Sequence, residues 1–239
     1  MKDRADKILA EKGLASTRSQ AKSLIENGDV TVNGIVIKKA GEIIDPSDDI
    51  VVNSQLFVGR GALKLEKALA EFKVSSLDKV FLDVGASTGG FTEVLLNHGA
   101  RKVYAIDVGH DQLAPKLRTD ARVVNMEGTN VRELVELPEL ADGAVMDLSF
   151  ISITKVLDNV KALLKPQGSL IALIKPQFEA GRERLPKDGV IKDPKVQNAV
   201  LEEVNAFAVA NGWILKGTID SPIEGKAGNK EFLSWFVKA

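Results

Sequence analysis

The segment Asp83-Val84-Gly85-Ala86-Ser87-Thr88-Gly89-Gly90-Phe91 closes the apolar run Val80-Phe81-Leu82 and leads into a helical pattern. Its order is strand, glycine-rich turn, helix. Glycine supplies positive φ and lets a backbone approach a ligand closely. The spacing is not the G-x-G-x-x-G of dinucleotide enzymes. Outward from this turn, apolar strands are expected near 80–84, 102–106, 121–126, 143–147, 169–174, 213–219 and 231–237, alternating with helical stretches. Such alternation predicts an α/β domain with a mainly parallel, Rossmann-like sheet covered by helices on both faces. The last two strands are separated by the Gly/Pro-rich stretch Ser221 to Asn229. A hairpin there would make the terminal strand antiparallel.

A smaller α+β module precedes this domain. Ala5, Ile8 and Leu9 share a helical face that Gly13 terminates. Thr17-Arg18-Ser19-Gln20 reads as a capping box for a second helix that buries Ala21, Leu24 and Ile25 and stops at Asn27-Gly28. Val30 to Ile37 is a hairpin signal with Asn33-Gly34 as its type I′ turn. The expected boundaries are 1–57 for the module, 58–62 for a joint (Val58-Gly59-Arg60-Gly61-Ala62) and 63–239 for the larger domain. After the joint, Leu65, Ala68, Leu69 and Phe72 form the buried stripe of a helix, with Lys64 beside it.

Composition narrows the chemistry. The chain has 239 residues and no cysteine, which removes disulfides, thiolate nucleophiles and Cys-ligated metals. Two histidines, His98 and His110, are too few for most metal sites, so no metal is expected. No run of about 18 apolar residues predicts a membrane span, and the N-terminus lacks the apolar core of a signal peptide. A cytoplasmic protein is expected. Net charge is −1, yet residues 1–39 hold eight basic against five acidic side chains.

The module resembles the S4 RNA-binding domain. The match lies in the order of elements, in Ser19, Lys22 and Leu24-Ile25, in Gly28, and in Val30 and Val32 with Asn33-Gly34. That resemblance implies that Arg18 and Lys22, one helical turn apart, meet RNA phosphates. A solvated charged face explains the same two residues taken alone.

The glycine-rich turn resembles the cofactor loop of S-adenosylmethionine (SAM) methyltransferases. On that resemblance Asp83 meets the cofactor's ammonium, and Gly85, Ser87, Thr88, Gly89, Gly90 and Phe91 form the loop. Asp107 lies 24 residues after Asp83 at the end of the second strand. A carboxylate there typically accepts ribose hydroxyls. Val108 and Asn130 complete the expected cofactor rim.

The acceptor atom can be narrowed by elimination. Pyrimidine C5 methylation normally needs a cysteine, which is absent. The Asn/Asp-Pro-Pro-aromatic sequence common in amine methylation is replaced here by Asp147-Leu148-Ser149-Phe150. Oxygen remains, and Lys175, after the strand Ser169–Ile174, is placed to steer or polarise a hydroxyl. A neutral lysine at pH 7 would cost roughly 4–5 kcal/mol without help from burial or a second cation; Lys64 could be that cation.

From Val58 to Ala239 the chain is similar to the FtsJ-like ribose 2′-O-methyltransferases. Their Lys-Asp-Lys-Glu tetrad falls on Lys64, Asp147, Lys175 and Glu231. Both domains in this order resemble the TlyA family, also called hemolysin A. The sequence departs from the family pattern at Ala62, Pro115 and Gly128. The resemblance implies SAM-dependent 2′-O-methylation of cytidine in ribosomal RNA, in the large subunit and in some members also the small one. Arg60 and the basic loop with Arg182 and Arg184 would join Arg18 and Lys22 on RNA. No obligate protein partner and a monomer when free are expected. A non-catalytic ribosome assembly factor is the alternative reading. Membrane lysis, suggested by the hemolysin label, lacks a basic amphipathic helix with aromatic anchors.

Overall fold

The computed structural model describes residues 2–15, 17–52, 57–225 and 227–239. The stretch 53–56, just ahead of the expected domain boundary, and Lys226, inside the expected final hairpin loop, lie outside these residues. The chain divides into two compact units, residues 1–58 and 59–239.

In the smaller unit, strand β1 (Asp3–Arg4) leads into helix α1 (Ala5–Glu11), followed by α2 (Arg18–Asn27). Strands β2 (Val30–Val32), β3 (Ile35–Val36), β4 (Ile43–Ile44) and β5 (Ile50–Val52) complete it. β2 is central in an antiparallel β3-β2-β5 sheet, and β1 pairs with β4. Thr17 caps α2 by accepting from the Gln20 backbone N–H, while Gln20 Nε2 donates to the Phe57 carbonyl. Asn33 and Gly34 both have positive φ, 51° and 79°, as a type I′ turn requires. Ile8, Leu9, Leu24, Ile25 and Val30 form a core of their own.

The larger unit begins with α3 (Ala62–Phe72) and β6 (Val80–Val84), then α4 (Gly90–Asn97), β7 (Lys102–Asp107), α5 (Pro115–Arg118) and β8 (Val123–Glu127). β9 (Ala141–Met146), a 3-10 turn at Ile153–Lys155, α6 (Leu157–Ala162) and β10 (Leu164–Ile174) follow. The chain continues through α7 (Pro176–Glu179), α8 (Pro194–Ala210), β11 (Trp213–Asp220) and β12 (Phe232–Lys238). Seven strands form one sheet in the order β11-β12-β10-β9-β6-β7-β8. β8, β7, β6, β9 and β10 are parallel; β12 is antiparallel to both β10 and β11. The final strand therefore closes a hairpin with β11 and also wedges between it and β10.

One face of the sheet, with Leu82, Val84, Ile106 and Met146, packs on Leu157 and Val160 of α6 and Val204 of α8. Helices α3 and α4 lie against each other, α3 touching β12 and α4 touching β6 and β7. Strand order reverses between β6 and β9, and the carboxyl ends there are where an open sheet leaves a crevice. Among the described residues, no helix is long and apolar enough to cross a membrane.

Candidate active site

The turn after β6 is built to come close to its neighbours. Gly85 has φ +87°, and a Cβ there would lie 2.6 Å from the Asp147 carbonyl oxygen. Ser87, though not glycine, also has positive φ (48°), and its N–H donates to Asp107 Oδ2 at 2.8 Å. The other oxygen, Oδ1, accepts from the Gly109 N–H at 2.7 Å. Asp107 is thus fixed by two backbone bonds, each oxygen keeping acceptor capacity. Gly89 takes φ +93° as the N-cap of α4. Gly59 backs directly onto the Thr88 hydroxyl, 2.6 Å from where a Cβ would be. Gly128 (φ +73°) lies under the His110 ring, where a Cβ would come within 2.4 Å.

A cavity of about 380 Å³ opens at the carboxyl ends of β6, β7 and β9. Of the cofactor residues expected from sequence, Gly85, Ser87, Asp107, Val108 and Asn130 line it. Asp83, Thr88, Gly89, Gly90 and Phe91 are not in its wall. Asp83 is wholly buried, with Oδ2 accepting from the Thr92 hydroxyl at 2.6 Å and Oδ1 without a hydrogen-bond partner among the described residues. Burial pushes its carboxyl up to about 7. The wall adds residues not assigned from sequence: Gln112, Thr129, Leu148, Ser149, Phe150 and Ile151. Gln112 is held by Glu127, whose Oε1 accepts from the Gln112 and Leu113 N–H groups. Hydrogen bonds from Asn125 and these two amides hold the Glu127 carboxyl down at about 2.

Beside the cavity, four charges from four elements form a row. Glu231, just before β12, is 3% exposed, and Lys64 of α3 is 5% exposed. Their Oε2 and Nζ are 2.6 Å apart. Lys64 Nζ lies 4.0 Å from Asp147 Oδ2, at the end of β9. Asp147 Oδ1 lies 2.6 Å from Lys175 Nζ, and Lys175, after β10, is 8% exposed. That last contact is ionic, since Oδ1 has no hydrogen-bond partner among the described residues. The lysine's aligned hydrogen bond goes to Ser149 Oγ at 2.9 Å. Two cations and two anions alternate, so each buried charge faces an opposite one, as buried charges require.

The loop after Asp147 is pinned to the segment after Lys175. Glu179 Oε2 accepts from the Ser152 hydroxyl at 2.5 Å, and Oε1 accepts from the Ile153 N–H at 2.9 Å. Burial raises the Glu179 carboxyl. Between these anchors Phe150 is held at φ 66° and is 90% exposed, its ring 5.1 Å from that of Phe178. Neither Phe150 nor Glu179 was assigned from sequence. An aromatic beside Asp147-Leu148-Ser149 is the signal that could have drawn attention to Phe150.

The expected RNA contacts are scattered. Arg18 Nη2 donates to Asp6 Oδ2 at 3.0 Å. Asp6 also accepts from Arg4, and hydrogen bonds from Arg4 and Arg18 hold its carboxyl at about 2. Lys22 is 3.7 Å from Glu26. Arg60 is exposed, as is Arg182. Arg184 forks onto Glu203 at 2.7 and 2.6 Å.

A glycine-rich turn, an aspartate at the end of the second sheet strand and a ligand crevice on a mainly parallel seven-stranded sheet are those of the Rossmann-like methyltransferase class. Residues 57–238 match the FtsJ-like methyltransferase model and residues 3–50 the S4 domain model. The chain is 41% identical to the 16S/23S rRNA (cytidine-2′-O)-methyltransferase TlyA of Mycobacterium tuberculosis, across 97% of this chain and 88% of that protein. It is 42% identical to hemolysin A of Brachyspira hyodysenteriae, across 98% and 99%. A solved structure from Streptococcus thermophilus, described as a candidate hemolysin, superposes with a TM-score of 0.76 at 44% identity, covering all of this chain and 89% of that one. The chain belongs to the FtsJ-like methyltransferase family and carries an S4 domain, and its relatives include proteins named TlyA and hemolysin A.

Proposed function

We propose that this protein transfers the methyl group of SAM to the 2′-hydroxyl of a cytidine in ribosomal RNA. The observation that carries the reading is the closed row Glu231–Lys64–Asp147–Lys175 beside a cavity that also presents Asp107. The substrate class rests on the TlyA relative, a cytidine-2′-O-methyltransferase of 16S and 23S rRNA.

The residues present suit SAM. Val84, Ile106, Val131 and Val156 give the cavity apolar walls, with Asp107 and Asn130 as polar partners. That mixture is typical of sites holding a mainly apolar ligand in one orientation. Asp107 would accept the ribose hydroxyls, and Gly85 and Ser87 would bring the turn's backbone close to the methionine moiety. Asp83 acts from beneath this turn, through Thr92.

SAM supplies a methyl group already activated by positive sulfur, so the protein's task is mainly alignment. Lys175 holds the acceptor oxygen. Asp147 holds Lys175, and the Lys64–Glu231 pair fixes Asp147 from its other side. Phe150 offers an exposed ring on which the target base can stack once it leaves its helix. Arg18 and Lys22 in the smaller unit, with Arg60, Arg182 and Arg184, meet phosphates. The place of action is the cytoplasm, on ribosomal subunits or their RNA, with the protein monomeric when free.

The test is transfer of labelled methyl from SAM to ribosomal RNA from a strain lacking this protein. Label should appear in nuclease-resistant dinucleotides, which only 2′-O-methylation produces. Lys175→Ala should lower the rate by on the order of 100-fold or more. Wild-type protein that transfers nothing to subunits or free RNA would overturn the reading.

A further inference from the structure

We infer that Ser149 is a positioning residue for Lys175, through the only side-chain hydrogen bond that this amine makes among the described residues. The inference rests on the methyl-transfer reading above and adds a residue to it.

The geometry singles out this serine. Lys175 Nζ approaches Asp147 Oδ1 to 2.6 Å, but at an angle that forms no hydrogen bond. Coulomb attraction is not directional, so Asp147 fixes how near the amine sits and little about where its N–H bonds point. Ser149 Oγ, at 2.9 Å, supplies the missing direction. Ser149 is exposed in the cavity wall, whereas Lys175 is 8% exposed. Its backbone is braced from both sides, by Asp147 at the end of β9 and by the Glu179 clamp on Ser152 and Ile153.

Three variants separate this role from mere packing. Ser149→Ala should lower kcat about tenfold, the equivalent of one lost hydrogen bond, with KM for RNA unchanged. Ser149→Thr should restore most of the rate. A second readout needs no turnover. In ligand-free protein, the Lys175 ammonium protons observed by ¹⁵Nζ NMR should exchange with water faster in Ser149→Ala and return toward wild type in Ser149→Thr. Wild-type kcat in Ser149→Ala, or a lowered rate with unchanged Lys175 exchange, overturns the inference. Wild type and Lys175→Ala assayed alongside keep the outcomes distinct. If wild type transfers methyl and Lys175→Ala does not, the enzyme reading stands whatever Ser149 does. If Lys175→Ala matches wild type, the role of Lys175 fails and the Ser149 inference with it; if wild type transfers nothing, the enzyme reading itself fails.

Discussion

Asp83 carries one carboxylate oxygen bonded by the Thr92 hydroxyl and one without a hydrogen-bond partner among the described residues, at zero exposure. Burial lifts it to about 7 from an ordinary 3.8. Between those values the folded chain keeps a proton that the unfolded chain has released. The stabilising contribution is therefore complete below about 4 and lost as pH rises through about 7. Asp83→Asn retains an acceptor for Thr92 and cannot titrate. Urea unfolding across pH 5 to 8 should show the variant gaining on wild type as pH rises; a constant difference would mean that Asp83 is ionised throughout. The sequence placed Asp83 at a strand end but not beneath the cavity, because burial of one strand residue depends on what α4 lays over it. Gly85 and Gly89 announced their positive φ by being glycines, whereas Ser87, which shares that conformation, gave no such sign.

Between elements, the Lys64–Glu231 contact ties α3 to the start of β12. Both side chains are nearly excluded from water, so removing one strands the other. Lys64→Ala should destabilise the protein by about 3–5 kcal/mol. Lys64→Met with Glu231→Leu should cost much less than the two single changes added together. Denaturant titration of the three variants measures both statements, and additive losses would show that the two charges do not share an energy. The strands were legible as apolar runs at nearly their observed positions, and the motif resemblance named all four charges of the row. The wedging of β12 between β10 and β11 was not legible, since a hairpin signal identifies one neighbour only. In the structure Phe232, Leu233, Ser234 and Phe236 are all buried, as in a strand covered on both faces. By contrast β11 at the sheet's edge exposes Ile214 and Leu215.

For the whole molecule, the two units have separate cores, which predicts that residues 59–239 fold alone and bind SAM with the affinity of the full chain. Their affinity for ribosomal RNA should fall. The dependence of log K on log salt should flatten by about 0.7–0.9 for each phosphate that Arg18, Lys22 and their neighbours no longer neutralise. Filter binding over a salt series checks this, and an unchanged slope would remove the smaller unit from RNA recognition. The paired helices and Asn-Gly hairpin made that unit readable, because its signals are local. The basic loop was less so: Arg184 is engaged by Glu203 on α8, a partner 19 residues away that no local pattern reveals.

The place of β12 in the sheet also has a meaning in time. A ribosome makes Glu231 after Lys64, Asp147 and Lys175, so the row of charges closes only once β12, which follows it, has joined the sheet. Until then Lys64 lacks its nearest counter-charge. The residues lining the cofactor cavity are thus all made well before the row of charges is complete, and the chemistry is acquired only when β12 is seated.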